Sequence, residues 1–493
     1  MDEKNVNVRG SWGSNIGFLL SAIGSAVGLG NIWGFPYKMG KCGGLTFLLV
    51  YLALAIFVGL PIMLAELSLG RNTGCGPVNA YKRISEKFKW VGWLAVIAPF
   101  LIMTFYSVLG GYCIWYIIIN LIGIFAGGPA GSASFGAMLT SPIGQIGVMI
   151  LFMLICWLIN MGGVAGGIEK FNKVGMPALA IMLVIIIIRA WTLPNAGEGL
   201  KFMFVPGYAV KAGFIEKTPS LISILATAGG QMFFSLSLAM GAMITYGSYL
   251  GKGENLTKNS IIIVVADTLI AIMAGLAVIP AAVANGINNG IPVNEIGLSG
   301  PGLLFKTLQD VFANMGALGG VFGVIFFVLV LLAAISSAIS LIEAVSVTFI
   351  DHASAKGKEI SRHRTVTLVS VVIALVACLV AADGLGENGF APWQFFGMAE
   401  SKIAGWNDCW LDFMDVWSEG IAMPLGAMLC AIMIGWEKVK GEPIFDRLKG
   451  EVESGYSGKI YGFWQFCLRY VTPIGMFFIL LAQVDGFFGF GWF

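Results

Sequence analysis

The sequence predicts an all-α polytopic membrane protein of eleven transmembrane helices, arranged as a five-plus-five inverted repeat with broken first and sixth helices. Three observations carry that expectation. Hydrophobic residues make up 57% of the 493 and charged residues only 11%, where soluble domains carry about a quarter charged residues. Long charge-poor runs recur, each near the roughly 20 residues that a bilayer crossing needs. The first and sixth runs are interrupted in a similar manner, and interruptions at corresponding positions of two halves point to an inverted repeat with a binding site between them, near the bilayer midplane.

Eleven apolar spans can be drawn: 14–37, 43–69, 90–124, 143–162, 172–191, 219–250, 258–285, 318–351, 363–382, 411–436 and 460–483. Six units follow: an N-terminal segment (1–13), the first repeat (14–191), an external loop (192–218), the second repeat (219–436), a cytoplasmic loop (437–459) and the eleventh helix with the C-terminus (460–493). With the N-terminus in the cytoplasm, 21 of the 29 Lys and Arg fall inside and eight outside, as positive-inside topology requires. The charged start leads into a long apolar run without a small-residue cleavage site, so it reads as a retained helix.

The first span contains Gly24-Ser-Ala-Val-Gly-Leu-Gly-Asn-Ile-Trp-Gly-Phe-Pro-Tyr37. Its glycines each lower helix propensity by about 1 kcal/mol relative to Ala, and Pro36 lacks a backbone donor. Unwound backbone at membrane depth survives only where it lines a cavity or binds something. Close packing against a neighbouring helix would use Gly24 and Gly28 alone; it has no need of Gly30, Asn31 and Pro36. In the fifth span Gly175 and Pro177 either weaken the cytoplasmic end or simply place proline in a first turn. The sixth span carries Phe233-Phe-Ser-Leu-Ser-Leu-Ala-Met-Gly241, with hydroxyls and a glycine inside an apolar run. Leu193–Pro219 and Gly300–Leu308 read as external loops with short helices.

Asp267, inside the apolar run Ile261–Ile272, is the most informative single residue. A carboxylate there is expensive, and a functional role is its default reading. The eight cysteines are dispersed, with no zinc or disulfide pattern, and both histidines lie in one short basic loop. With no His in the spans and no paired-carboxylate or nucleophile motif, enzyme chemistry is not expected. A channel would want a continuous polar pore instead of two broken helices with a carboxylate between them. No basic cluster with interleaved aromatics points to nucleic acid.

The stretch Val27-Gly-Leu-Gly-Asn-Ile-Trp-Gly-Phe-Pro-Tyr37 resembles the first-helix signature of the neurotransmitter:sodium symporter family, whose bacterial members have the leucine-transporter fold. The resemblance covers about residues 9 to 480, and eleven segments match the shorter bacterial members. It implies a sodium-coupled importer of an amino acid, working by alternating access in the plasma (inner) membrane of a prokaryote, with membrane lipid as its surroundings. It also implies Na+ at two sites and no organic cofactor. Oligomeric state is open.

By this resemblance the first sodium site uses the Ala26 carbonyl, Asn31, Ser235 and Asp267, completed by the substrate carboxylate. The second uses the carbonyls of Gly24, Val27 and Ala333 with the hydroxyls of Ser336 and Ser337, although a Ser-Ser pair in an apolar helix often only bonds back to the preceding turn. Asp267 stands where many relatives have an amide, which implies chloride independence and, on the return step, proton antiport. Tyr106 and the amides near Leu29 and Gly30 would hold the substrate carboxylate. Gly28, where amine-transporting relatives have an aspartate, favours an amino acid. The pocket would be Ile102, Phe234, Ser237, Met240, Ser337 and Leu341, suited to a large aliphatic or aromatic side chain. A small osmolyte such as glycine or betaine is the alternative cargo. Arg9 and Asp351, with Ser248 and Tyr249, occupy inner-gate positions, and Asp415 matches the outer acid. The usual outer arginine is Gly34 here, so Lys38 or Lys41 would have to reach across.

Overall fold

The computed structural model describes residues 10–298, 302–395, 409–455 and 460–492. The first apolar run is two helices, α1 (Asn15–Ala26) and α2 (Gly30–Cys42), bent by 46°. Four unbroken helices follow: α3 (Leu45–Thr73), α4 (Glu86–Ala126), α5 (Pro142–Met161) and α6 (Val164–Trp191). The sixth run is α7 (Leu221–Ser235) and α8 (Ala242–Ser248). Then come α9 (Leu256–Asn288), α10 (Ala317–Ser354), α11 (Arg362–Asp383), α12 (Trp410–Trp436), the surface helix α13 (Ile444–Glu453) and α14 (Ile460–Phe488). Among the described residues nine helices are long and apolar enough to cross a membrane, and α1–α2 makes a tenth span. The interrupted α7–α8 run, whose Leu221–Ser235 helix is apolar but shorter, stands where the sequence places its sixth span.

Helix α1 stops where Val27 turns to extended backbone, φ −77° and ψ 103°. At the next position a Cβ would overlap the Ser337 hydroxyl and lie 2.6 Å from that of Tyr106, so a larger residue there would have to push both side chains aside. The chain resumes in a π turn over Gly30–Gly34. Pro36 follows just after that π turn, inside the continuous helix α2, and does not interrupt it. The glycines make the break; Pro36 does not, contrary to the sequence reading. The sixth run breaks by another means: Ser237, Ala239 and Gly241 take φ of 52°, 59° and 70°, left-handed conformations that cost a non-glycine residue about 1–2 kcal/mol each.

Helix α6 runs unbroken through Gly175 and Pro177, so neither expectation for the fifth span holds. Its irregular part lies earlier, in a π turn over Val164–Glu169. The loop between α6 and α7 carries the short helices Ala196–Phe204 and Tyr208–Lys211, and the later one contains a π turn at Leu303–Thr307.

Helices α4 and α10 pack along each other through the middle of the molecule. A Cβ on Gly323 of α10 would run into the Asn120 side chain of α4, so that glycine sets how close the two come. The apolar stretch of α12 is 72% buried and those of α5 and α14 only 28%, which leaves α5 and α14 at the lipid-facing rim. On the N-terminal face, the buried Arg71 at the end of α3 donates from Nε to Glu451 Oε2 of α13 at 2.6 Å and from a terminal nitrogen to the Glu254 carbonyl at 2.6 Å. Removing one partner of a buried pair strands the other. Arg71→Ala should therefore lower stability by about 3 kcal/mol, read as a fall in the thermal midpoint of purified protein; an unchanged midpoint would show that α13 needs no such brace.

Candidate ion and substrate site

The two breaks face each other at the centre, and each draws its own set of oxygens. Beside the first, Asn31 Nδ2 donates to Asp267 Oδ1 at 2.7 Å and to the Asp267 carbonyl at 3.2 Å, while its Oδ1 accepts from the Gly28 amide at 3.0 Å. The Ser235 hydroxyl, at the end of α7, donates to the same carboxylate at 2.9 and 3.1 Å. Tyr51 adds a longer hydroxyl contact at 3.3 Å. Asn31, Ser235 and Asp267 are all fully buried, and Ala26 lies buried at the edge of the break. Asn31, Ser235 and Asp267 are thus brought together, around a carboxylate that three elements hold. Such a donor set, a carboxylate with neutral oxygens and no nitrogen or sulfur ligand, fits a hard cation. Among the described residues no three His, Cys, Asp or Glu gather as they would for a transition metal.

A second group spans α1 and α10. The Ser336 hydroxyl contacts the carbonyls of Val27 at 3.2 Å and Ala333 at 2.9 Å. Ser337 contacts those of Ser25 at 3.0 Å, Gly24 at 3.4 Å and Val27 at 3.4 Å. Bonding back to the preceding turn is only part of what this pair does. Gly24, Val27, Ala333, Ser336 and Ser337 form one all-oxygen cluster with carbonyls that the end of α1 leaves without helical partners.

Between the groups, the Leu29 amide donates to the Tyr106 hydroxyl at 3.0 Å, and the Phe234 ring lies 6.3 Å from that of Tyr106. Gly30 abuts Phe234, since a Cβ there would be 2.8 Å from its ring. The Ser237 hydroxyl donates to the Ser25 carbonyl at 2.7 Å, which ties the second break to the first. Ile102, Met240 and Leu341 are buried. Amides at a helix start, a phenol and an apolar surround suit a carboxylate on a hydrophobic body.

The flanking polar groups depart more from expectation. Towards the C-terminal end of α2, Lys38 forms an ion pair with Glu419, and both side chains are 10% exposed. Asp415, the residue singled out from sequence, lies one turn earlier on α12 and is not the partner in that pair. Where an arginine at position 34 would stand, Gln231 fills the space: a Cβ on Gly34 would come 2.6 Å from Gln231 Oε1, and Gln231 Nε2 donates to the Gly30 carbonyl at 2.7 Å. Lys41 takes no part in this pair. On the N-terminal face, Asp351 Oδ2 accepts from the Gly76 amide at 2.6 Å, and Arg9 lies outside the described residues. Ser248 bonds back to the Thr245 carbonyl. Tyr249 donates to Glu343 Oε1 at 2.6 Å, and Arg362 pairs with Glu343 at 2.6 Å.

Sequence reasoning passed over Glu66, Glu343 and Glu419. Glu66 is buried on α3 and accepts from the Ala239 amide at 2.7 Å, so it stabilises the left-handed turn between α7 and α8. Glu66 and Glu343 carry the signal that singled out Asp267, a carboxylate inside an apolar run. Tyr51 carries no such signal, because nothing in sequence marks one buried tyrosine from another.

Comparison with known proteins accords with this architecture. The family model described as the sodium:neurotransmitter symporter family matches residues 9–125 and 139–489. The uncharacterized sodium-dependent transporter YhdH of Bacillus subtilis is 32% identical over 483 residues, covering 96% of this chain and 97% of that protein. The sodium-dependent serotonin transporter of Drosophila melanogaster is 24% identical, covering 97% of this chain and 77% of that protein. The crystal structure of MhsT in complex with L-phenylalanine superposes with a TM-score of 0.80 at 32% identity, covering 96% of this chain and 100% of the other. Signature, fold and full-length similarity agree, and the chain belongs to the sodium:neurotransmitter symporter family.

Proposed function

We propose that this protein is a sodium-coupled symporter that imports a hydrophobic or aromatic amino acid by alternating access, with the N-terminal face in the cytoplasm and no requirement for chloride. The observation that carries the reading is the Asp267 carboxylate, buried beside the first break and held by Asn31, Ser235 and Tyr51. Sodium beside it would be held by that carboxylate, Asn31, Ser235 and the Ala26 carbonyl. An amino acid seated on the Leu29 and Gly30 amides, with its carboxylate towards Tyr106, would share the ion. Each then raises the affinity of the other by the same factor. A second sodium among Gly24, Val27, Ala333, Ser336 and Ser337 would draw α1 against α10, which favours closure on the cytoplasmic side. The bound L-phenylalanine of MhsT supports cargo of this class.

Chloride independence follows from charge: with Asp267 supplying a fixed negative charge beside the cation, no mobile anion is needed to balance it. The same carboxylate supports proton antiport, since without sodium a buried acid favours its protonated form. On the outer side, the Lys38–Glu419 pair would replace the missing arginine gate.

Three measurements test the reading. A screen of the twenty amino acids against purified protein should find a large hydrophobic or aromatic one that binds in sodium and not in potassium. Binding that ignores sodium would overturn the shared site, and silence from all twenty would turn the choice to glycine-like osmolytes such as betaine. Uptake into proteoliposomes should be unchanged when gluconate replaces chloride, whereas Asp267→Asn should weaken sodium activation by about tenfold or more, the scale of one hydrogen bond to a charged group. Lys38→Met and Glu419→Gln should each speed release of bound substrate by about tenfold, and the double variant should be no worse than either, because removing one partner already breaks the pair. Fully additive effects would mean that the two side chains act apart.

A further inference from the structure

We propose that Glu169 is an inner latch: a positioning residue on α6 that holds α1 closed and must withdraw before substrate can leave on the N-terminal face. This rests on the alternating-access reading above, in which α1 moves as a short rod about the Val27–Gly28 break.

Glu169 is buried, yet its carboxylate belongs to α1 as much as to its own helix. Oε2 accepts from the Gly13 amide at 2.7 Å and Oε1 from the Ser14 hydroxyl at 3.0 Å. Ser14 in turn accepts from the Gly17 amide at 3.0 Å, which makes it the N-cap of α1. A carboxylate from another span therefore completes the cap and sits at the positive end of the α1 dipole. Lys173, one turn along α6, pairs with it at 2.7 Å. Gly17 shows how tight the fit is: a Cβ there would overlap the Glu169 carboxyl group and come 2.5 Å from its Cγ.

The segment that carries the carboxylate has room on one side, although Gly167 packs tightly against the Ile159 carbonyl on the other. Glu169 ends the π turn Val164–Glu169, a geometry that is rare in helices and frequent at functional sites. A Cβ on Gly166 would meet nothing within 4 Å, and a groove of about 480 Å³ opens beside the turn, lined by Gly162, Gly166, Gly167, Phe171 and Leu332 among others. Movement of this turn would uncap α1. The other ties of α1 on this face come from elsewhere: Trp12 Nε1 donates to the Tyr246 carbonyl at 3.1 Å, and Asn259 Nδ2 to Asn15 Oδ1 at 2.8 Å. Among the described residues Glu169 supplies the side-chain hydrogen bonds from α6 to the start of α1, while Asn172 and Met176 only pack against Gly24 further along. Sodium in the second oxygen cluster would act in the same direction, holding the far end of the rod against α10.

The test is hydrogen–deuterium exchange on the full-length protein in lipid nanodiscs, in potassium and across a sodium titration, for Glu169→Gln, Glu169→Ala and Gly17→Ala. In potassium the amides of residues 15–26 should exchange about tenfold faster in Glu169→Ala, the scale of one lost charge-assisted hydrogen bond. The sodium concentration that restores their protection should rise by a similar factor, and Glu169→Gln should fall between. Gly17→Ala keeps the carboxylate and improves helix propensity, so it should slow exchange if propensity governs α1 and speed it if the latch does. Unchanged exchange on α1 in Glu169→Ala, or slower exchange in Gly17→Ala, would overturn the proposal. So would acceleration spread over α3, α4 and α10, which would make Glu169 a general brace of the fold. The readout needs no amino acid, so a failed cargo assignment and a failed latch are separate results.

Discussion

A backbone that leaves its helix inside a membrane has no water to turn to, and every amide and carbonyl it frees must find a partner within the protein. This chain does so twice, at Val27–Gly28 and at Leu236–Gly241, and much of the centre follows from meeting that demand. Asn31, Gln231 and Tyr106 serve the first break, and Ser336 and Ser337 reach its carbonyls from α10. Glu66 serves the second, and Ser237 joins the two. The groups that satisfy the breaks are also oxygen and amide groups suited to a cation and a carboxylate. Binding chemistry and backbone accounting are the same set of atoms.

Buried carboxylates divide the labour. Asp267 receives only neutral donors, Asn31, Ser235 and Tyr51, so its negative charge stays available to a cation. Glu343 and Glu419 are matched by Arg362 and Lys38 on either side of the centre, where breaking a pair exposes two charges to be rehydrated. Glu66 meets a backbone amide alone. The carboxylate group, placed in three electrostatic settings, faces neutral donors beside a helix break, joins flanking ion pairs and supports strained backbone.

Rigid pieces around these sites are few. Helices α4 and α10 run unbroken through the centre and set its frame, while α1, α2, α7 and α8 are short rods that end at the breaks. Short rods pivot with little loss of internal hydrogen bonding, which suits the proposed opening of one side at a time. What holds each rod at a given moment is a handful of directional contacts, such as Trp12 with Tyr246 and Ser14 with Glu169.

The sequence by itself determined the apolar spans, the two interrupted runs and the carboxylate at position 267, because each is a local property: hydropathy over about 20 residues, glycine spacing, or a charge where no charge is cheap. It also brought Asn31, Ser235, Asp267 and the Ser336–Ser337 pair to notice through a signature whose meaning lies in neighbouring letters. Pairing was another matter. Lys38 reaching Glu419 instead of Asp415 depends on the angular offset of α12 from α2, and Glu169 reaching Ser14 depends on how α6 packs against α1. Neither is encoded at any fixed spacing. Pro36 and Pro177 make the same point in reverse: each reads as a breaker, but both lie inside continuous helices, the first just after a π turn. Local letters set where the chain is free to bend; only packing decides which partner takes up the freedom, because a hydrogen bond or ion pair is a relation between two elements and belongs to neither alone.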